Sequence, residues 1–233
     1  MAGGRFFENV GRKIIVTGHY GSGKTEFAVS LAMLLAAEGS GKLAVIDLDI
    51  VNPYFRSRER RDVLEKAGVA VYGSLYDKEV TAEMPALGAD VRAPLEDNDC
   101  RVIIDAGGND SGALVLNQFG KYLADDETTA LAIVNASRPE TRDFDGALRH
   151  IAAIEAATGL AVAGIVNNSH MLRETTAATI AQGHELCERI CAATGKTLCC
   201  DCYPAGIVAP EELAMLGQNL MPMGLYMRDS WMY

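Results

Sequence analysis

Residues 18–25 read Gly18-His19-Tyr20-Gly21-Ser22-Gly23-Lys24-Thr25, and the fold is decided there. The octet fits G-x-x-x-x-G-K-[ST], a pattern with a mechanism. Glycines let backbone N–H groups converge on phosphate oxygens with no Cβ in the way. A helix starting near Lys24 aims the positive end of its dipole at the same anion. The pattern assigns Lys24 to the β and γ phosphates and the Thr25 hydroxyl to Mg²⁺. Gly18, Gly21, Ser22, Gly23, Lys24, Thr25 and the adjoining Glu26 are therefore the candidate nucleotide-binding residues. The context agrees: Ile14–Thr17 reads as a buried strand. Lys24–Glu38 reads as a helix with Phe27, Leu31, Leu34 and Leu35 facing inward and Gly39 as its stop.

Moving outward, β-branched runs alternate with helical patterns, which predicts repeated βα units and a mostly parallel sheet. Strands are expected at Leu43–Asp47, Val69–Tyr72, Val102–Asp105, Leu131–Val134 and Ala161–Val166, with a last one at Thr197–Cys202. Helices are expected over Arg56–Ala67 and Glu174–Ala193. A third, opened by the capping-box pattern Ser137-Arg138-Pro139-Glu140, should run to about Ala157. Near-continuous Val, Ile and Leu predicts strands covered on both faces, hence one α/β domain over residues 1–233 with a tail at about 220–233.

In such a sheet the strand carboxyl ends share an edge with the phosphate loop. Asp47, Asp49 and Asp105 end two strands there, and Gly107 and Gly108 follow Asp105. A carboxylate at that edge can hold Mg²⁺ or orient a water, whereas a lone strand-end Asp more often caps a turn. Asp105-Ala-Gly-Gly reads as a metal-supporting aspartate followed by Gly108, a glycine able to sense the γ-phosphate. Asp49 and Asp105 join Thr25 as the Mg²⁺ set.

The chain has 233 residues, with 21 basic and 31 acidic side chains and a formal charge of −10. A hydrophobic fraction of 49% excludes a mainly disordered chain. The acidic surplus argues against a general nucleic-acid coat yet is compatible with phosphate held by backbone N–H groups. No export signal core and no 20-residue apolar run is read (about 20 residues are needed to span a bilayer), so a cytoplasmic protein with six reduced cysteines is expected.

Five segments together resemble the MinD/ParA-like P-loop ATPases, within the broader class of signal-recognition and MinD-type nucleotide switches. They are Gly18–Thr25, Val45–Asp49, Ile103–Gly108, Asn135–Thr141 and Gly164–Asn167. The resemblance implies a P-loop NTPase domain with a seven- or eight-stranded sheet and helices on both faces. It further implies ATP with Mg²⁺ and a homodimer with nucleotide at its interface. By the same analogy Lys24 and Asp49 are catalytic, with Asp49 positioning the attacking water; Asp105 supports Mg²⁺ and Asn167 contacts the base. The signature second lysine of these proteins is absent, His19 standing in its place. A loop of this kind is also similar to those of nickel-maturation nucleotidases. The run Asn167-Asn168-Ser169-His170 lacks the Lys and Asp of Asn-Lys-x-Asp, so a guanine edge would miss its acceptor and ATP is favoured.

Other features carry weaker expectations. Arg56, Arg58, Arg60 and Arg61 read either as a solvated helix face or as a switch beyond Asp49, and Asn109, Asp110 and Ser111 would belong to a second switch. Cys200 and Cys202 are core residues or, as a speculative reading, thiolate ligands of a transition metal. The Met-rich tail is expected to pack on the domain or on a second subunit. The leading expectation is an Mg²⁺-ATPase switch acting on a protein client. A metal-delivering nucleotidase and a phosphotransferase on a small acceptor, housed in Val80–Asp99, are the alternatives.

Overall fold

The computed structural model describes residues 10–39, 41–49, 57–73, 91–108, 115–217 and 219–227. Strand β1 (Lys13–Gly18) is buried along its whole length and runs into the phosphate loop. Helix α1 (Lys24–Ala37) follows, with Phe27, Ala28, Val29, Leu31, Ala32 and Leu35 all buried. Burial on more than one stripe marks it as an interior helix rather than a surface one. Next come β2 (Lys42–Asp47), a 3₁₀ turn at Ser57–Arg60, α2 (Arg61–Lys66), β3 (Val69–Gly73), α3 (Arg92–Glu96) and β4 (Cys100–Asp105). A single helical turn α4 (Gly120–Leu123) leads to β5 (Thr128–Val134), α5 (Phe144–Thr158), β6 (Val162–Asn167), α6 (Ala177–Thr194), β7 (Thr197–Pro204) and β8 (Leu220–Met223).

The eight strands form one sheet in the order β3-β2-β4-β1-β5-β6-β7-β8. Every pairing is parallel. The expected sheet of seven or eight strands thus has eight, all parallel. Alternate residues feed opposite layers. Ile14, Val16, Val45 and Ile103 pack under α1, while Ile15, Ile46, Val102 and Ile104 meet Val91, Leu95, Phe119 and Leu123 on the other face. Ala132, Val134 and Ile165 pack against α5 and α6. The chain moves one way from β1 to β2 and β3, then crosses back from β4 to β5. The ends of β1, β4 and β5 are therefore the topological switch point, where open α/β sheets bind ligands.

Three sequence expectations are corrected. Thr197–Cys202 is not the last strand: β7 extends to Pro204, and β8 adds to it through Asp201↔Leu220 and Cys202↔Met221. Pro222 in β8 has no N–H to donate, which suits an edge strand and hides it from a strand reading. The Ser137–Glu140 pattern does not open a helix. Asn135 gathers that segment into turns, its Oδ1 accepting from Ser137 N (2.8 Å) and its carbonyl from Thr141 Oγ1 (2.8 Å). Helix α5 begins at Phe144, where Asp143 caps Gly146 N at 2.8 Å. Likewise α6 starts at Ala177, with Thr176 and Thr179 closing a reciprocal cap. Arg56 and residues 109–111 lie outside the described residues, as does most of Val80–Asp99. Arg61 pairs with Glu65 at 3.1 Å on the exposed face of α2. Among the described residues no helix is long and apolar enough to cross a membrane.

Candidate functional site

The loop between β1 and α1 bends through Gly23, whose φ of 86° makes it a left-handed N-cap with no side-chain bond to the first turn. A Cβ at Gly23 would sit 2.4 Å from Asn168 Nδ2. Two constraints, a positive φ and a close neighbour, therefore require glycine here. Asn168 Nδ2 donates to the Ser22 carbonyl at 2.8 Å and fastens the loop to the end of β6. The first turn of α1 lines the cavity and no side chain caps its N–H groups, the arrangement an anion site needs. Ser22 is fully buried and turns back through its N–H to the His19 carbonyl at 3.0 Å.

The acids lie beside this loop. The β2–β4 register places Asp47 opposite Asp105. Asp49 follows, its N–H bonded to Asp47 Oδ1 at 3.1 Å. Asp105 is wholly buried, and neither carboxylate oxygen has a partner within full hydrogen-bond geometry among the described residues; the Thr25 hydroxyl is the donor leaning on it. Burial first, then the charge of Asp47, push its carboxyl up to about 8, against the pull of Lys24 and Thr25. Lys24 is shifted the other way. Burial lowers its pKa, opposed by Asp105 and Asp49, and its Nζ reaches the His19 carbonyl at 3.3 Å. A carboxyl that ionises readily only against a cation, next to a threonine hydroxyl, suits a hard oxygen-seeking ion such as Mg²⁺. Gly108 completes the group. A Cβ there would fall 1.7 Å from the Gly18 carbonyl and 3.0 Å from Lys24 Nζ. Only glycine lets the segment after β4 lie against the loop.

The loop opens on a cavity of about 290 Å³, with Asp105 and Gly108 behind its wall. Gly21, Gly23, Lys24, Thr25, Glu26 and Asp49 form its loop end, the end that would take phosphate. Asn168, His170, Cys202, Pro204, Met223, Leu225 and Met227 belong to the far wall. Glu26 joins the two, its Oε1 accepting from Tyr226 N at 2.6 Å and its Oε2 from Met227 N at 3.0 Å. Residues 224–227 are thereby strapped to α1, helped by Gly224 N donating to Ser30 Oγ at 3.1 Å.

Asn167, which the resemblance assigned to the base, does not line the cavity wall. It is fully buried behind the cavity, donating to the Ile180 carbonyl (2.9 Å) and Asp201 Oδ1 (2.7 Å) and accepting from Ser169 N (3.1 Å). Its role is to tie β6 to α6 and β7; Asn168 and His170 face the cavity instead. Cys200 and Cys202 lie on β7, where they pack in the interior. Both are buried in the main core, and Cys200 is hydrogen-bonded to Cys202 and pushed well above the ordinary thiol range by that bond and by burial. Among the described residues no three His, Cys, Asp or Glu side chains come together as a metal-binding group. His19 is not part of the cavity wall: its Nδ1 meets the Tyr20 carbonyl at 2.9 Å, and Glu140 stands 3.8 Å away.

The tail's described residues 224–227 pack on the domain, one of the two expected placements; the sequence reading missed that they wall the cavity, and it missed Arg138 as a cavity residue. Arg138 was concealed inside an apparent capping box. The strap lies beyond a short Pro-containing strand whose pattern carries no period.

With this geometry in view, comparison with solved structures shows what the architecture matches. The cell division protein FtsY of Thermotoga maritima superposes with a TM-score of 0.54 at 21% identity, over 80% of this chain and 59% of that one. FtsY of Mycoplasma mycoides gives 0.55 at 16%, over 82% and 59%. The signal recognition particle 54 kDa protein of Aeropyrum pernix, solved with GDP, gives 0.52 at 21%, over 80% and 40%. The fold is that of a P-loop NTPase. This chain spans about three fifths of the length of those FtsY chains. No family model matches the sequence, and no curated protein does.

Proposed function

We propose that this chain is a cytoplasmic, Mg²⁺-dependent nucleoside triphosphatase, binding and hydrolysing ATP as a switch on a protein client, and acting as a homodimer. The observation that carries the reading is the buried carboxylate of Asp105, approached by the Thr25 hydroxyl and the Lys24 charge but with no partner in full hydrogen-bond geometry among the described residues, at the mouth of an uncapped helix. Such an acid costs stability in the bare protein, and its placement makes sense as half of a cation site.

In this reading the loop N–H groups and Lys24 hold the β and γ phosphates, and Asp49 orients the attacking water. Thr25, Asp49 and Asp105 hold Mg²⁺, which when bound neutralises phosphate charge. Gly108 lets the second switch approach the γ-phosphate. ATP is favoured over GTP by the far wall. Its side chains are amide, imidazole, thiol and apolar, and the nearby Asp201 is committed to Asn167 and to His184 (2.8 Å). No carboxylate there is placed to accept from guanine N–H groups among the described residues.

Lys24→Ala tests the assignment. Mg²⁺-dependent ATP turnover and ATP affinity should both fall by about a hundredfold or more, with the melting temperature of the nucleotide-free protein little changed. Nucleotide binding indifferent to that substitution would remove the loop from the site. Co-purification with a hydrolysis-blocked Asp49→Asn form addresses the client.

A further inference from the structure

We propose that Arg138 binds the phosphate chain of the nucleotide in the same subunit, supplying at the apex of the loop the second cation that His19 does not. The inference rests on the nucleotide reading above and adds a residue to it.

Arg138 stands between β5 and α5, where Asn135 organises the backbone into consecutive turns: Arg138 N donates to the Asn135 carbonyl and Thr141 N to the Arg138 carbonyl, each at 3.1 Å. Pro139 narrows the conformations open to Arg138. The side chain reaches across to the loop, where its Nε donates to the Gly21 carbonyl at 2.8 Å. Gly21 has a φ of 75°, and a Cβ on it would lie 3.4 Å from Arg138 Nε and 3.6 Å from Cζ. The guanidinium is thus seated over the loop apex.

One nitrogen of the fork is spent on that carbonyl. The two terminal nitrogens have no partner among the described residues, and the side chain lines the same cavity as Gly23, Lys24 and Thr25. A guanidinium fixed through Nε presents its remaining N–H groups as a fork, the geometry that matches a pair of phosphate oxygens.

Charge supports the assignment. Lys24 faces two carboxylates, Asp105 and Asp49, so much of its field is already opposed. A triphosphate needs more positive charge than that lysine and one divalent ion provide. His19 does not provide it, since its ring is held by the Tyr20 carbonyl and lies edge-on to His150 with centroids 5.1 Å apart. Arg138 is the permanently charged side chain beside Lys24 on the cavity wall.

The test is a phosphate ladder. Affinities for AMP, ADP and ATP with Mg²⁺ are measured by calorimetry on the wild type, Arg138→Gln and Arg138→Lys, with turnover alongside. Loss of a charged contact corresponds to about a tenfold to hundredfold weakening. Arg138→Gln should lose that factor for ATP while AMP binding changes little. Arg138→Lys, which keeps the charge without the fork, should recover part of it, and turnover should follow the ATP column. A residue that merely braces Gly21 would weaken all three nucleotides alike, with no recovery by lysine. That pattern, or unchanged ATP affinity, overturns the inference while leaving the nucleotide reading intact. A wild type that binds none of the three overturns the nucleotide reading itself.

Discussion

At the β1–β2–β4 side of the cavity the chain buries Asp47, Asp49 and Asp105 around a single lysine, whereas at the β7–β8 side it lays down Cys202, Pro204, Met223, Leu225 and Met227. The first region carries charge that water would solvate better, and so weakens the fold. The second removes apolar surface from water and strengthens it. Glu26 connects them: it sits next to Thr25 in the loop helix, yet its carboxylate is occupied by the backbone of the strap. Stability and ligand affinity should accordingly respond in opposite ways to substitutions at the two ends.

The largest contrast is expected for Asp105→Asn. Replacing a buried acid crowded by Asp47 and supported only by the Thr25 hydroxyl and the Lys24 charge with a neutral amide should leave the nucleotide-free protein as stable or more so in urea titration. Mg²⁺-dependent turnover should meanwhile fall about a hundredfold, roughly 2.7 kcal/mol. Parallel loss of both stability and turnover would mean that Asp105 is structural. Glu26→Ala comes next. It removes two hydrogen bonds to a charged group, each worth about 1.5–3 kcal/mol at most. It should release the strap, lower the melting temperature and weaken ATP, with inorganic tripolyphosphate affected least if, as proposed, the far wall takes the nucleoside. Equal weakening of both ligands would place the strap at the phosphate end instead.

The smallest effect is expected away from both ends, at Glu155. Burial pushes its carboxyl up, but hydrogen bonds from Lys196 Nζ (2.7 Å) and Val162 N (2.8 Å) outweigh it, and the net shift is downward. A depressed carboxyl contributes stability above its unfolded pKa, lost as pH falls through the folded value. Glu155→Gln should therefore cost about 0.5–1 kcal/mol at pH 7, and the urea midpoints of the two proteins should converge as the pH falls below the ordinary glutamate range, through the depressed folded value. A difference that persists at acid pH would assign the effect to packing.

The same division separates what the sequence reveals from what it conceals. The phosphate end is written in local code: Gly18–Thr25 is contiguous, and Asp47 and Asp105 end apolar runs whose pairing follows from a parallel sheet. The far wall is assembled from residues distant along the chain, Asn168, Pro204 and Met223 among them, with no shared period. Asn167, the expected base contact, and its neighbour Asn168 face different ways. β6 ends with Asn167 pointing into the α6 interface, which leaves Asn168 on the cavity side. Arg138 was hidden because Ser-x-x-Glu satisfies a helix-start pattern, while Asp143 makes the actual cap. The choice between the two depended on Asn135, a buried residue whose turn-forming role is tertiary.

The sulfur chemistry of β7 has a consequence for watching the molecule move. Burial pushes Cys199 far above the ordinary thiol range, and the hydrogen bond with Cys202, with burial behind it, does the same for Cys200. Held as thiols, they are poor nucleophiles, and their alkylation must wait for the strand to open. Cys202, one residue from each of Asp201 and Tyr203, borders the cavity itself. Three neighbouring sulfurs thus form a built-in clock: the hands at Cys199 and Cys200 mark opening of the sheet, and the one at Cys202 marks exposure of the cavity wall.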